Sequence, residues 1–235
     1  MSLLSNVELE REIFQNNIIQ GTGFPQHRTA RVTNIEAASI RLTVGEIVIV
    51  KHTEKVDGRR EIEIKEIKQG SHILAPGDVC FVITQEYINF HDGIAGIMTP
   101  KSSGVAEKGI LITNTGHVDP GFQGKLKYAV MNMGINEFPL TIGQSITKLM
   151  VFRLKERADP DWQRLHSRDG NDFNNSAVLH LGEEMLNIRI RTERIVRDLF
   201  LELALKYGLL GAAATVLMTI VAGVGFSMIA RSSPH

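Results

Sequence analysis

The chain has 235 residues, 43% of them hydrophobic, enough to bury one or two ordinary cores without metals or disulfides. Lysine and arginine together number 26, as do aspartate and glutamate, so the basic surplus typical of non-specific nucleic-acid binding is missing and no nucleic-acid partner is expected. A single cysteine, Cys80, rules out a disulfide framework, and the eight histidines lack the i, i+4 pairing of a zinc helix, so no metal ligands are assigned.

In chain order, the opening "MSLLSNVELEREIF" is too acidic for a signal peptide. Leu4, Val7, Leu9, Ile13 and Ile18, with Glu8, Glu10, Arg11 and Glu12 between them, predict a short amphipathic helix. Past "GTGFP" the texture changes: "ASIRLTVGEIVIV" and "EIEIKEI" are rich in β-branched residues, with Asp57-Gly58 as a hairpin signal between them. A second series follows, "LAPGDVCFVIT" with its Pro76-Gly77 turn, "GIAGIMT", "GILITN", "KLKYAVMNMG" and "FPLTIGQSITKLMVFRL". Short strands parted by Gly or Pro turns predict a mainly β fold, a barrel or jelly roll with a short N-terminal helix. Cys80, inside the apolar run "DVCFVIT", reads as a buried, inert thiol.

From Lys155 the strand pattern stops. Residues 155–180 are polar and turn-rich and read as a linker, and 181–207 as an amphipathic helical stalk with Ile188, Ile195, Leu199 and Leu203 on one side. Its alternating start, "MLNIRIR", also fits a strand. Gly208 to Ala230 carries 23 residues without a charge, enough to cross a hydrocarbon core of roughly 30 Å at about 1.5 Å per residue. With five residues after it, the segment is expected to be a single-pass C-terminal tail anchor. Arg189, Arg191, Arg194, Arg197 and Lys206 lie upstream against Arg231 alone downstream, which puts the N-terminal part in the cytoplasm.

Within the anchor Gly211, Thr215, Thr219, Gly223 and Ser227 recur every four residues, which places them on one helix face. The stripe suits close, self-associating helix packing, and it also fits the general enrichment of small residues in membrane helices.

Residues 1 to about 154 resemble the dCTP deaminase and trimeric dUTPase superfamily, in its deaminase-like branch, through ordered motifs. "LLSNVELEREIFQNNIIQ" is similar to the leading helix and first strand of the deaminase branch. "AASIRLTVGE" resembles the first motif, "LAPGDVCFVIT" the strand before the next motif, and "PKSSGVAEKGI" the phosphate-binding turn. "GHVDPGFQG" resembles the third motif and "IGQSITKLMVF" the fourth. The resemblance implies residues 1–154 as a nucleotide-binding domain, in a homotrimer with sites between chains. The ligand it implies is a deoxynucleoside triphosphate, with Mg2+ accompanying the bound nucleotide.

The matched residues have their own chemical logic. In "PKSSG", Lys101, the Ser102 and Ser103 hydroxyls and the backbone N–H groups near Gly104 make a donor set suited to a triphosphate, although Ser-Ser-Gly alone is commonly just a turn. By resemblance, Asp119 orients the water that attacks the α-phosphorus and contacts the sugar 3′-hydroxyl, and Phe122 stacks on deoxyribose. Asp119-Pro120-Gly121 is equally a sequence for a simple Asp-capped turn. Asn114 is a candidate for reading a pyrimidine edge, and Gln144 for supporting the site from the fourth motif.

Departures from the pattern limit the transfer. Ala129 stands where deaminases carry the proton-shuttling glutamate, and an alanine is neither general acid nor base, so dCTP deamination is not expected. Arg41 replaces the usual first-motif aspartate, Lys101 replaces an arginine and loses its bidentate fork, and "GVAEKG" lacks a second arginine. No glycine-rich arm bearing Arg and Phe follows Leu154. Two classes of function remain: a membrane-anchored nucleotide sensor or effector with reduced or absent turnover, in one version acting in cell defence, or an active, membrane-tethered dUTP or related nucleotide pyrophosphatase.

Overall fold

Strand β4, Ser39–Glu54, organises the architecture because its two halves pair with different neighbours. The first half lies against β13 (Ser145–Arg153), with Arg41 opposite Lys148, and the second against β7 (Val79–Asn89), with Ile47 opposite Val82. The register breaks between Val44 and Glu46. There a Cβ on Gly45 would stand 2.6 Å from the Gln85 backbone, so only glycine admits the close strand approach.

The computed structural model describes residues 1–21, 23–24, 33–54, 60–113, 115–159 and 192–208. The chain divides into two units, Met1–Ile188 and Arg189–His235. The first is mainly β. Its remaining elements are β1 (Ser2–Leu3), α1 (Asn6–Asn16), β2 (Ile19–Gln20), β3 (Ile35–Glu36), β5 (Arg60–Ile67), β6 (Ser71–Leu74) and β8 (Ile94–Pro100). A 3-10 turn (Ala106–Lys108), β9 (Ile110–Thr113), β10 (His117–Val118), β11 (Gln123–Asn132) and β12 (Phe138–Thr141) complete it. One curled sheet runs β10-β8-β13-β4-β7-β11-β9, with β1 on β13, β2 on β7, and β3 and β5 on β4, while β6 and β12 form a separate pair. The predicted barrel is thus a curled sheet whose hydrogen-bonded path ends at β10 and β9.

Alternating apolar residues fill the inside of the curl: Leu42, Val44, Val82, Ile88, Val130, Leu149 and Val151 are all fully buried. The predicted hairpin between β4 and β5 forms in antiparallel register from Ile47–Ile67 to Glu54–Arg60, while Asp57-Gly58 itself lies outside the described residues. Pro76-Gly77 makes its turn, with Asp78 N–H donating to Ala75 O at 3.0 Å and Gly77 at φ 89°. Cys80 is buried, and burial pushes its thiol up to about 12.

Helix α1 is shorter than the apolar pattern of the first twenty residues. Ser5 and Glu8 cap it reciprocally, and Asn17 closes it in the left-handed conformation with its N–H on Ile13 O. Leu9 and Ile13 face the core and Val7 faces solvent. Leu4 and Ile18 are buried from outside the helix, Leu4 through its N–H on Val151 O of β13.

In the second unit residues 192–208 are helical, with Ile195, Leu199, Phe200, Leu203 and Leu205 exposed. No helix among the described residues is long and apolar enough to cross a membrane. The anchor beyond Gly208, with its stripe Gly211, Thr215, Thr219, Gly223 and Ser227, lies outside the described residues, as do most of the linker and the start of the stalk.

Candidate functional site

The third-motif segment folds as a turn between β10 and β11. Phe122 N–H donates to Asp119 O at 3.2 Å, closing four residues with Pro120 second and Gly121 third. Gly121 has φ +74°, the sign that the third position of a type II turn requires. The turn is anchored from outside: Phe90 N–H donates to Phe122 O at 2.9 Å and Gly121 N–H to His91 O at 3.4 Å.

His91 is itself clamped. Gly93 N–H donates to His91 Nδ1 at 3.0 Å, which assigns the ring proton to Nε2, 3.3 Å from Glu12 Oε2. Arg153 Nη2 donates to Glu12 Oε1 at 2.8 Å and Asn16 Nδ2 to Oε2 at 2.6 Å. Burial opposes the charge on Glu12, but the hydrogen bonds from Asn16, His91 and Arg153 together hold its carboxyl below the usual range. Helix α1 and strand β13 therefore fix the loop on which the turn rests.

Beside the turn lies a cleft of about 250 Å³ lined by Met98, Gly116, His117, Val118, Phe122, Lys125, Leu126 and Lys127. On β11, Lys125 and Lys127 share the outward face while Leu126 between them is buried in the core. The register of β11 against β7 shifts between Lys125 and Lys127, and Leu126 N–H is diverted to Thr84 Oγ1 at 3.0 Å. Thr84 Oγ1 in turn donates to Glu86 O at 2.9 Å. The fully buried Glu86 carboxylate accepts from Thr43 N–H at 2.9 Å and from the Thr43 hydroxyl at 2.6 Å, and burial raises its pKa.

Asp119 is exposed and is not among the residues lining the cleft, but its Oδ1 lies 3.2 Å from Nδ1 of His117, which does line it. Phe122 lines the cleft and packs partly against the core. Asn114 lies outside the described residues.

The second group of predicted residues sits at another corner. Lys101 N–H donates to Ile146 O at 2.9 Å, placing the Ser-Ser-Gly turn at the end of β8 against the start of β13. Gln144 belongs to this corner, where its backbone carbonyl accepts from Val44 N–H at 2.9 Å and its side-chain Oε1 accepts from Thr141 N–H at 3.1 Å. Ser102 and Ser103 are exposed. The expected free donor at Gly104 is not free, since its N–H donates to Glu107 Oε2 at 3.3 Å. Lys101, Ser102, Ser103, Gly104 and Gln144 come together here, and none of them lines the Phe122 cleft.

Two departures read from the sequence acquire physical content. Arg41 Nη2 donates to Thr33 O at 2.5 Å, with Nε 4.0 Å from Glu36. Glu36 also holds Lys148, whose ammonium keeps that carboxyl low. The cation in the first motif is thus absorbed into a surface charge cluster. Ala129 is buried between Phe81 and Thr113 in the register of β7 and β9.

A donor set for a protein-held Mg2+ does not assemble: no group of three His, Cys, Asp or Glu side chains among the described residues is placed to hold a metal ion. Sequence reasoning missed His117, Lys125, Lys127 and Glu107. The i, i+2 spacing of His117 and Asp119 was a readable signal that the two side chains could meet, as they do at 3.2 Å. Lys125 and Lys127, also two apart and on one strand, carried the same readable signal.

A mainly β protein with a curled antiparallel sheet and a cationic cleft at a motif turn is the class that these features define. A family model described as dCTP deaminase-like matches residues 3–154, more than half of the chain, and the chain belongs to that family. It is similar to the deoxyuridine 5'-triphosphate nucleotidohydrolase of Neorickettsia sennetsu, 27% identical over 100 residues, 42% of this chain and 67% of the relative. A dUMP-forming dCTP deaminase of Methanobrevibacter smithii is 28% identical over 127 residues, 49% of this chain and 65% of the relative. Among solved structures, the 2'-deoxycytidine 5'-triphosphate deaminase of Agrobacterium tumefaciens aligns with a TM-score of 0.48 at 13% identity, covering 63% of this chain and 48% of the other. The chain spans about half to two thirds of the length of the curated relatives it matches.

Proposed function

We propose that the chain binds a deoxynucleoside triphosphate with reduced or absent turnover and acts as a nucleotide sensor or membrane effector. The observation that carries this reading is the wall of the Phe122 cleft: its ionisable groups are His117, Lys125 and Lys127, with no carboxylate among the lining residues. Such a wall suits an anionic ligand. It supplies no acid–base carboxylate of the kind that deamination needs, and Ala129 is buried where the family pattern has one. Family membership supports a nucleotide as that ligand.

In this proposal residues 1–154 are the nucleotide domain, and the protein is a homotrimer. Lys101, Ser102, Ser103, Gly104 and Gln144 of one copy then serve the cleft of another, which fits their separation from Phe122 within one chain. Mg2+ enters as the counter-ion of the nucleotide. Residues 155–180 link this domain to a helical stalk, 181–207, and Gly208 to Ala230 anchors the chain with its N-terminal part in the cytoplasm. The defence-effector version rests on the pairing of a nucleotide domain with that anchor and on the Gly211–Ser227 stripe.

The test uses the full-length chain with Mg2+ and each deoxynucleoside triphosphate, following pyrophosphate release, ammonia release and thermal shift together, with Asp119→Ala as control. A thermal shift without product is expected. Pyrophosphate from dUTP that vanishes in the variant would establish the pyrophosphatase alternative, and no shift with any nucleotide would overturn the binding reading. Liposomes carrying the protein that stay sealed with and without every deoxynucleotide would remove the membrane-effector version.

A further inference from the structure

The Lys101–Gly104 turn already holds an anion of its own. Gly104, at φ +74°, donates its N–H to Glu107 Oε2 at 3.3 Å, and this is the donor that a phosphate oxygen would take. The backbone that carries the exposed Glu107 is held by its surroundings. Val105 is buried and its carbonyl accepts from both Lys108 N–H and Ile110 N–H at 3.1 Å. Gly109 O accepts from Met133 N–H at 2.9 Å, and a Cβ on Gly109 would stand 2.7 Å from Gly134 Cα, so the segment carrying Glu107 is pinned at both ends. Lys108, the nearest cation in sequence, lies over the Phe138 ring at 5.7 Å from its centroid.

We propose that Glu107 is an affinity-limiting residue: its carboxylate occupies the Gly104 donor of the Ser-Ser-Gly turn, and an incoming phosphate chain binds there only by displacing it. The inference rests on the nucleotide-binding reading of the same turn. Two anions compete for one N–H, and a displaced carboxylate beside a bound triphosphate repels it, so Glu107 lowers affinity for every phosphate ligand. A weakly charged anion does not overcome this, while a polyphosphate does. The turn is thereby tuned for a ligand present at high concentration, as a sensor of pool size requires.

Calorimetric titration of the full-length chain tests this with dUTP, dCTP and inorganic tripolyphosphate against wild type, Glu107→Gln and Glu107→Ala. Glu63→Gln, on exposed β5, serves as an equal change of charge elsewhere. Both Glu107 variants are expected to bind all phosphate ligands on the order of tenfold tighter, with Glu63→Gln unchanged. Equal affinity of wild type and both Glu107 variants, or the same gain in Glu63→Gln, overturns the inference while leaving nucleotide binding intact. Tighter tripolyphosphate binding with no nucleotide bound by any variant supports the Glu107 contact and overturns the nucleotide reading. No ligand bound by any variant overturns both.

Discussion

His117 Nδ1 lies 3.2 Å from Asp119 Oδ1, which pairs a residue of the cleft wall with the motif carboxylate. Both side chains are more than half exposed, and a pair so placed contributes only about 0–1 kcal/mol to folding. Asp119→Ala and His117→Ala are each expected to leave the melting temperature unchanged and to weaken nucleotide binding on the order of tenfold. The double variant is expected to be little worse than either single one, because each removes the same pair. Calorimetric titration of the three variants checks the non-additivity.

Glu12 links α1, β13 and the His91 loop, and its folded pKa is lowered. A depressed carboxylate contributes stability above its unfolded pKa of 4.5, and that contribution is lost as pH falls through the folded value. Glu12→Gln is expected to cost about 1.5–3 kcal/mol at pH 6, the range for hydrogen bonds to a charged group, and the gap to wild type should close on acidification below pH 4.5. Urea unfolding at a series of pH values measures it. A gap independent of pH would show that the carboxylate's charge is not what the clamp uses.

Gly45 is expected to be intolerant of the smallest substitution. A Cβ there meets Gln85 Cα and N at 2.6 Å, both backbone atoms that cannot rotate away, and the register break that lets β4 serve both halves of the sheet depends on that approach. Gly45→Ala is predicted to destabilise by about 3 kcal/mol or more, at the upper end of overpacking costs. Gly70→Ala, where no atom lies within 4 Å but φ is +80°, should cost less, about 1 kcal/mol. Paired denaturant titrations distinguish a steric cause from a conformational one.

Cys80 is 1% exposed, and its thiol is pushed up to about 12. Alkylation by iodoacetamide at pH 8 is expected to proceed only through unfolded molecules. Intact-mass measurement should find the native chain unmodified and the urea-unfolded chain modified once.

Much of the fold was legible because its signals are local. Pro76-Gly77 and Asp119-Pro120-Gly121 turn where turn chemistry says they should, and the β-branched runs around Ile47, Val82 and Val151 became buried strands. The extent of α1 was less legible. Leu4 and Ile18 fit a helical spacing by accident of sequence, and β13 and the core claim them from outside the helix. For the site, Asp119 and Phe122 both lie on the turn, the Gly104 N–H goes to Glu107, and Gln144 turns its carboxamide oxygen to its own turn, contacts that no local pattern announces.

What the sequence determined by itself was therefore the strand series, its turns and the family, since alternation, turn residues and ordered motifs are written residue by residue. Only the tertiary structure decided which side chains meet. Glu12 with Arg153, Thr43 with Glu86 and Gly45 with Gln85 join positions far apart in the chain, through the register of β4, β7 and β13. One irregular step in the pairing of β11 with β7 diverts Leu126 N–H to Thr84 Oγ1, and periodicity along one strand carries no information about where its partner slips.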